Sequence, residues 1–245
     1  MASRKIDKKE LATVIQEHLK WLESKGEVGK KADLSWCDLT CQNLQQANLE
    51  SANLEGAILC KANLRTINLT NANLRSASLE GAYIHWGIVQ GANLKEASLN
   101  KASLHHANFS NADLTQAQMK NSYSHYTFFN DTIFKATNLQ GASLRFSEMN
   151  YANMRGANLS YAVIAASKML HTDLSDTNLS YSTITMSDLE NAILRNSKLN
   201  HSRIIKTSFK NTDCTGTDFN DAKVESGDFS KAIFSSETSP ELEGC

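Results

Sequence analysis

Apolar residues return along this chain at every fifth position. From residue 32 the sequence divides without a gap into five-residue units that begin ADLSW CDLTC QNLQQ ANLES ANLEG. Between residues 34 and 234 there are 41 unit centres, and 39 of them are Leu, Ile, Val, Met or Phe, the exceptions being Ser124 and Cys214. Two residues before the centre the side chain is Ala, Ser, Thr, Cys or Gly in 39 of the 41 units, the exceptions being Gln42 and Ile67.

A period of five fits neither an α-helix nor a long β-strand, whose side chains repeat with other periods. It does fit a short extended stretch followed by a turn. Within each unit, two side chains separated by one residue point the same way, so that the larger fills a core and the smaller lies beside it. One unit buries too little to be stable alone, and stacking of successive coils must supply the cohesion. The pattern therefore predicts a solenoid that winds around its own core.

The A(N/D)LXX pattern, carried across roughly five-sixths of the chain, resembles the pentapeptide-repeat family. The resemblance implies an all-β fold, a right-handed quadrilateral β-helix with four pentads and about twenty residues per coil. Residues 32–234 would then form about ten coils and a rod roughly 50 Å long. The recurrence of similar residues at a spacing of twenty, as in Tyr161 and Tyr181, agrees with this geometry.

Residues 1–31 are predicted to form an N-terminal segment with a capping helix at about residues 8–24. Asp7 can cap this helix with Glu10 three residues later, and Gly26 can end it. One face of the helix carries an apolar stripe made of Leu11, Val14, Ile15, His18, Leu19 and Leu22. We expect this stripe to cover the open end of the first coil. The alternative is that it docks a partner or a second copy.

At the other end, residues 235–245 are acidic and nearly devoid of apolar residues, which predicts a flexible tail. Such a tail would leave the last coil, with Phe229 and Phe234, as a bare edge. A homodimer through this C-terminal coil is therefore a possible assembly.

Charge and composition narrow the classes of partner. The chain has 26 acidic and 25 basic residues, and residues 32–234 carry 17 basic and 18 acidic ones. This balance predicts no nucleic-acid partner. Some members of the family resemble duplex DNA in size and charge and protect DNA gyrase from inhibitors. That role requires a strongly anionic rod, so the near-neutral charge disfavours it here.

The chain shows no secretory signal and no apolar run long enough to span a bilayer, so we expect a cytoplasmic protein with no membrane partner. Five cysteines without a paired spacing argue against disulfides and against a zinc site. Phosphate-loop, GxSxG and HExxH motifs are absent from the sequence, which predicts a binding or scaffold protein without a cofactor rather than an enzyme. Because pentapeptide repeats also occur in secreted bacterial proteins, an exported effector is a further alternative.

Histidines and aromatic residues gather on one predicted edge. With twenty residues per coil, two neighbouring outward columns and their flanks bring them together over about four coils. The predicted partner-binding residues are Tyr83, His85, Trp86, His105, His106, Tyr123, His125, Tyr126, Phe128 and Phe146. An exposed aromatic patch with a polar rim is typical of a protein-binding surface.

Two other interpretations of this edge stay open. Ser124 leaves a defect at a centre position, and Tyr126 could turn inward to fill it. The column of His85, His105 and His125 could instead capture a metal, although a flat face lacks the enclosing geometry of a zinc site. If the edge binds a partner, histidines with pKa values near 6.5 would make binding depend on pH.

Overall fold

The computed structural model describes residues 4–235, and from residue 32 onward the chain winds into a solenoid. Parallel backbone pairs join positions twenty residues apart, from Asp33 with Asn53 to Asp213 with Ile233. Each coil therefore takes twenty residues, and its four pentads form four flat sides. The solenoid predicted from the five-residue period and the coil length implied by the family resemblance are both confirmed.

The interior is formed by the two predicted inward positions of each pentad. Every centre from Leu34 to Val224 is buried, and so are most of the small residues two positions earlier. Asparagines just before the centre form a ladder on one side, where Asn73 Nδ2 donates to Asn53 Oδ1 at 3.2 Å and Asn93 Nδ2 donates to Asn73 Oδ1 at 3.2 Å. These bonds run along the rod and tie successive coils together.

Tight turns make most of the corners. The amide of the next small residue donates to the centre carbonyl, as Ala57 N does to Leu54 O at 3.0 Å. The residue two after the centre has a positive φ at nearly every corner. This is the geometry of a type II turn, in which Gly or Asn fits most easily. Larger residues are held there by the coils on either side.

On one side of the solenoid the corners are wider in the C-terminal half of the chain. There the amide of Ser147 donates to Ser167 Oγ at 3.3 Å, and that of Ser167 donates to Ser187 Oγ at 3.2 Å. The wider turns allow a parallel five-stranded sheet. Its strands are β3 (Ser143–Arg145), β4 (Val163–Ala165), β5 (Thr183–Thr185), β6 (Arg203–Ile205) and β8 (Lys223–Glu225).

Buried hydroxyls replace alanine at many small positions in the C-terminal half. Most of them donate to a carbonyl of the preceding coil, as Thr137 Oγ1 does to Leu114 O at 2.6 Å. Ser122, Ser182 and Ser202 lie in one column and are buried, yet their hydroxyls have no hydrogen-bond partner among residues 4–235. Burial of an unpaired hydroxyl is unfavourable, so these serines are local weak points of the core.

The N-terminal segment closes the first coil. Helix α1 (Lys8–Glu23) begins after Asp7, whose Oδ1 accepts from Glu10 N at 2.8 Å. Leu11 and His18 are buried, and His18 Nδ1 accepts from Ala32 N at 3.1 Å. The stripe therefore packs on the solenoid, as predicted for a cap.

The sequence did not predict a short strand before the helix. Strand β1 (Arg4–Lys5) pairs in parallel with β2 (Cys37–Asp38). The next residue, Ile6, is buried and joins the core. The first coil is thus covered by backbone pairing as well as by the helix.

At the other end, β7 (Asp213–Cys214) pairs with β9 (Ile233–Phe234). Rings of the last coils contact one another, with Phe219 and Phe229 centroids 6.0 Å apart and Phe229 and Phe234 centroids 5.9 Å apart. The predicted acidic tail lies, apart from Ser235, outside the described residues.

Candidate functional site

The predicted edge occupies one side of the solenoid and the corner that follows it. We call this side the histidine face. It comprises the outward residues 43, 45 and 46 and those at every twentieth position after them, up to 223, 225 and 226, which surround the buried centres from Leu44 to Val224. Because the pairing is strictly twenty residues apart, equivalent residues of successive coils lie directly above one another.

The corner column holds four rings in a stack. Trp86 and His106 have centroids 5.2 Å apart, His106 and Tyr126 5.0 Å, and Tyr126 and Phe146 4.7 Å. The ring planes are nearly parallel, within 2°, 2° and 5°. All four residues have φ between 55° and 60°. This aromatic stack therefore depends on the left-handed turn position, which aims each ring along the same direction.

Beside the stack runs a histidine ladder made of His85, His105 and His125. Its ring centroids are 5.1 and 4.7 Å apart, with the rings edge to face. His85 Nε2 hydrogen-bonds Ser103 Oγ at 2.7 Å, and His125 Nε2 hydrogen-bonds Ser143 Oγ at 2.8 Å. Serines of the next coil thus fix the orientation of the outer two imidazoles.

The electrostatic surroundings favour neutral histidines. Burial lowers the pKa of His85, His105 and His125 below the ordinary histidine value. Nearby positive groups lower it further, among them Arg65 for His85 and Arg145 for His125. The pKa near 6.5 expected from the sequence is therefore wrong for the ladder, which gains protons only at lower pH.

The flanking aromatic residues are exposed, but only some of them contact the histidine ladder or the aromatic stack. Tyr83 contacts His85 with ring centroids 6.2 Å apart, and the Arg65 guanidinium lies 5.1 Å from the centre of the Tyr83 ring. Tyr123 and Phe128 are also exposed, and Phe128 belongs to the neighbouring side. Within residues 4–235 neither of them makes a ring contact with the stack. The structure thus brings eight of the ten predicted residues into one connected cluster.

Tyr126 does not turn inward to fill the space at Ser124. Its side chain is 47% exposed, and its ring lies between those of His106 and Phe146. Ser124 is buried, and its hydroxyl has no hydrogen-bond partner in the described part of the chain. The turn geometry explains the difference, because a residue at the left-handed corner position points away from the core.

Further ring stacks, which the sequence showed only as a spacing of twenty, lie on other corners. Tyr161, Tyr181 and His201 form one, with centroids 5.0 and 4.7 Å apart. Tyr151 and His171 form another at 4.9 Å. They are shorter than the aromatic stack and have no histidine ladder beside them.

Other chemical groups of the described chain are dispersed. Among residues 4–235 no group of three or more His, Cys, Asp or Glu side chains is arranged to hold a metal ion. The four described cysteines are free, and burial raises the pKa of the Cys214 thiol to about 11. No helix of the described chain combines the length and apolarity needed to cross a bilayer.

Comparison with known protein families gives a match over most of the chain. The family model described as pentapeptide repeats matches repeatedly, over residues 30–65, 47–85, 88–123, 128–160, 137–169, 157–196 and 197–235. The chain belongs to the pentapeptide-repeat family. Its fold is the right-handed quadrilateral β-helix that the resemblance implied.

A solved structure supports the fold of this pentapeptide-repeat protein. It is similar to HetL from the cyanobacterium Nostoc sp. strain PCC 7120, which is involved in heterocyst differentiation regulation. That match has 21% identity and a TM-score of 0.62, and covers 94% of this chain and 97% of HetL. QnrB1, a plasmid-mediated fluoroquinolone resistance protein, matches with 15% identity and a TM-score of 0.41, covering 81% and 92% of the two chains. No curated protein matches the sequence.

Proposed function

We propose that this pentapeptide-repeat protein is a non-enzymatic binding protein that presents the aromatic stack and the histidine ladder to a protein partner. The observation that carries this proposal is the continuity of the exposed rings. Trp86 is 57% exposed, Tyr126 47% and Phe146 48%, and all three belong to one stack. Single exposed apolar residues are common, whereas a contiguous patch of this kind is typical of an interaction surface.

The residue types suit such a role. Trp and Tyr often dominate interface energies because they bury a large area while losing little side-chain entropy. Here stacking and the turn already hold the rings in place, so binding would cost little further ordering. The core beneath them consists of buried aliphatic and small residues, which makes the surface rigid.

Stacking also stabilises the corner itself, and the experiment must separate the two roles. The test variant is Trp86→Asn, Tyr126→Asn and Phe146→Asn. Asparagine tolerates the left-handed turn, as Asn71 and Asn121 do at the same position of other corners. The matched control is Tyr151→Asn, Tyr161→Asn and Tyr181→Asn, which removes three exposed rings with φ of 60° or 61° from other corners.

Affinity capture from cells of the source organism, followed by mass spectrometry, measures partner binding. We expect the test variant to lose a partner that the unmodified protein and the control both capture, with the three circular dichroism spectra alike. Equal capture by all three proteins would refute the proposal. Loss of the solenoid spectrum in the test variant alone would show that the rings serve packing.

A reducing cytoplasmic location remains our prediction. The free thiols of Cys37, Cys41, Cys60 and Cys214 support it.

A further inference from the structure

Carboxylates are missing from almost the whole histidine face. Residues 32–234 contain 18 Asp and Glu, yet Glu225 in the last coil is the only one at the positions that define this face. Nine successive coils, from Asn43 to Lys206, present no carboxylate there. The basic side chains of the same stretch are Arg65, Arg145, Arg203 and Lys206. A chain with a net charge of −1 thus has one side on which nine successive coils carry no negative side chain.

The cations beside the histidine ladder lack carboxylate partners. Neither Arg65 nor Arg145 makes an ion pair with a residue of the described chain, and Arg65 lies over the Tyr83 ring instead. On the opposite side, arginines are neutralised: Arg75 contacts Glu96 at 3.0 Å, and Arg155 contacts Asp176 at 3.2 Å. Positive charge is therefore available to a ligand on the histidine face and is compensated on the opposite one.

The aromatic stack presents ring edges rather than ring faces. Both faces of His106 and Tyr126 are covered by neighbours at 4.7 to 5.2 Å. The 47% of Tyr126 that is exposed must therefore be mainly its rim. Aromatic faces carry partial negative charge and edges partial positive charge, so a row of edges favours anionic oxygens. Covered faces leave no room for nucleobases to stack between the rings, which is how single strands bind aromatic side chains.

The geometry points to an acidic segment of a partner protein, rich in Asp and Glu, that docks along the histidine face between Arg65 and Arg145. This inference rests on the proposed function and names the partner chemistry. Arg65 and Arg145 are four coils apart, which is about 19 Å along the rod at the spacing of neighbouring strands. A helix of about 13 residues covers that length.

Protonation of the ladder should strengthen the contact. His85, His105 and His125 face Arg65, His106 and Arg145, and all of these groups repel a proton when they are charged. A bound carboxylate has the opposite effect and raises the pKa of the histidines. Proton uptake is therefore coupled to binding, and affinity rises as the pH falls toward the lowered pKa of the free ladder.

The test uses the full-length protein and a fluorescein-labelled peptide of fifteen glutamates, with fluorescence anisotropy as the readout. Fifteen-residue polylysine and a 15-nucleotide oligothymidine serve as the other probes. The test variant is Arg65→Glu with Arg145→Glu. The matched control, Arg75→Glu with Arg155→Glu, makes the same change of net charge on the opposite side.

We expect the glutamate peptide to bind, the test variant to weaken it at least tenfold, and the control to leave the affinity within twofold. Absence of glutamate-peptide binding, equal losses in both variants, or tighter binding of oligothymidine would overturn the inference. Capture of the cellular partner by the test variant distinguishes this inference from the proposed function. If Arg65→Glu with Arg145→Glu still captures it, the acidic chemistry is wrong while the proposed function stands.

Discussion

Replacing one buried serine by alanine should stabilise the solenoid, while the same replacement at another should weaken it. Ser182 and Ser167 occupy the same small position of the pentad, and each is only 1% exposed. Ser182 Oγ has no hydrogen-bond partner within the described residues. Ser167 Oγ accepts from Ser147 N at 3.3 Å and donates its single proton to Leu144 O at 2.6 Å, with Ala165 O at 3.1 Å sharing the same proton. The two sites therefore differ in hydrogen bonding but not in burial.

The magnitudes follow from these contacts. A buried unpaired hydroxyl costs about 1 kcal/mol or more, so Ser182→Ala should raise the free energy of unfolding by about 1 kcal/mol. Ser167→Ala removes two hydrogen bonds of about 1 kcal/mol each, so it should lower that free energy by about 2 kcal/mol. Alanine fits the column of Ser182, since Ala142 and Ala162 already occupy it in the preceding coils.

Guanidinium denaturation followed by circular dichroism measures both effects. The expected difference between the variants is about 3 kcal/mol, with equal slopes of free energy against denaturant. Midpoints that shift in the same direction and by similar amounts would refute the hydrogen-bond reasoning, because burial alone would then govern both sites.

Other features of the chain lead to further predictions. Burial lowers the pKa of His18, so the stability that neutral His18 contributes to the cap is fully present above pH 6.5 and is lost as the pH falls below that value. The urea midpoint of unfolding should therefore decrease from pH 8 to pH 5, and it should decrease less in His18→Gln. Cys41 is exposed and should react with a thiol reagent in the native state, whereas Cys214, which is buried and has a pKa of about 11, should react only after unfolding. Thiol labelling followed by mass spectrometry tests this order of reaction. We also propose contact between two copies through the coil that carries Phe229, and light scattering should show a dimer that Phe229→Asp reduces to a monomer. A supercoiling assay should show neither inhibition nor protection of DNA gyrase, because the repeat body is nearly neutral.

The regular part of the fold could be predicted from the sequence because burial acts on every pentad in the same way. Leu34 and its equivalents must share one interior, and this requirement alone defines the period. Asp7 and the apolar stripe likewise predicted a cap helix. The cross-section needed the family resemblance, because a five-residue period does not determine how many pentads complete a coil.

Several structural features could not be predicted because they depend on backbone and side-chain geometry, which the spacing of residue types along the sequence does not determine. Strand β1 is two residues long, and Arg4 and Lys5 are charged, so no apolar pattern marks it. The spacing of twenty residues predicted that Trp86 lies beside His106. The parallel arrangement of the rings and their outward edges follow from the left-handed corner, which the sequence does not reveal. The same corner explains why Tyr126 stays outside the core. Lowered histidine pKa values likewise depend on burial beside neighbouring coils.

The pairing of β1 with β2 limits how the molecule can assemble. Strand β1 occupies the edge of the first coil at Cys37–Asp38 and α1 packs over the core beside it, so another copy cannot add a strand at that position. A head-to-tail contact needs both ends of a rod, and repetition of such a contact builds a filament. With this edge paired, a contact through the opposite end would join two copies mutually and would not repeat. The N-terminal segment thus disfavours growth by strand addition at its own end of the rod.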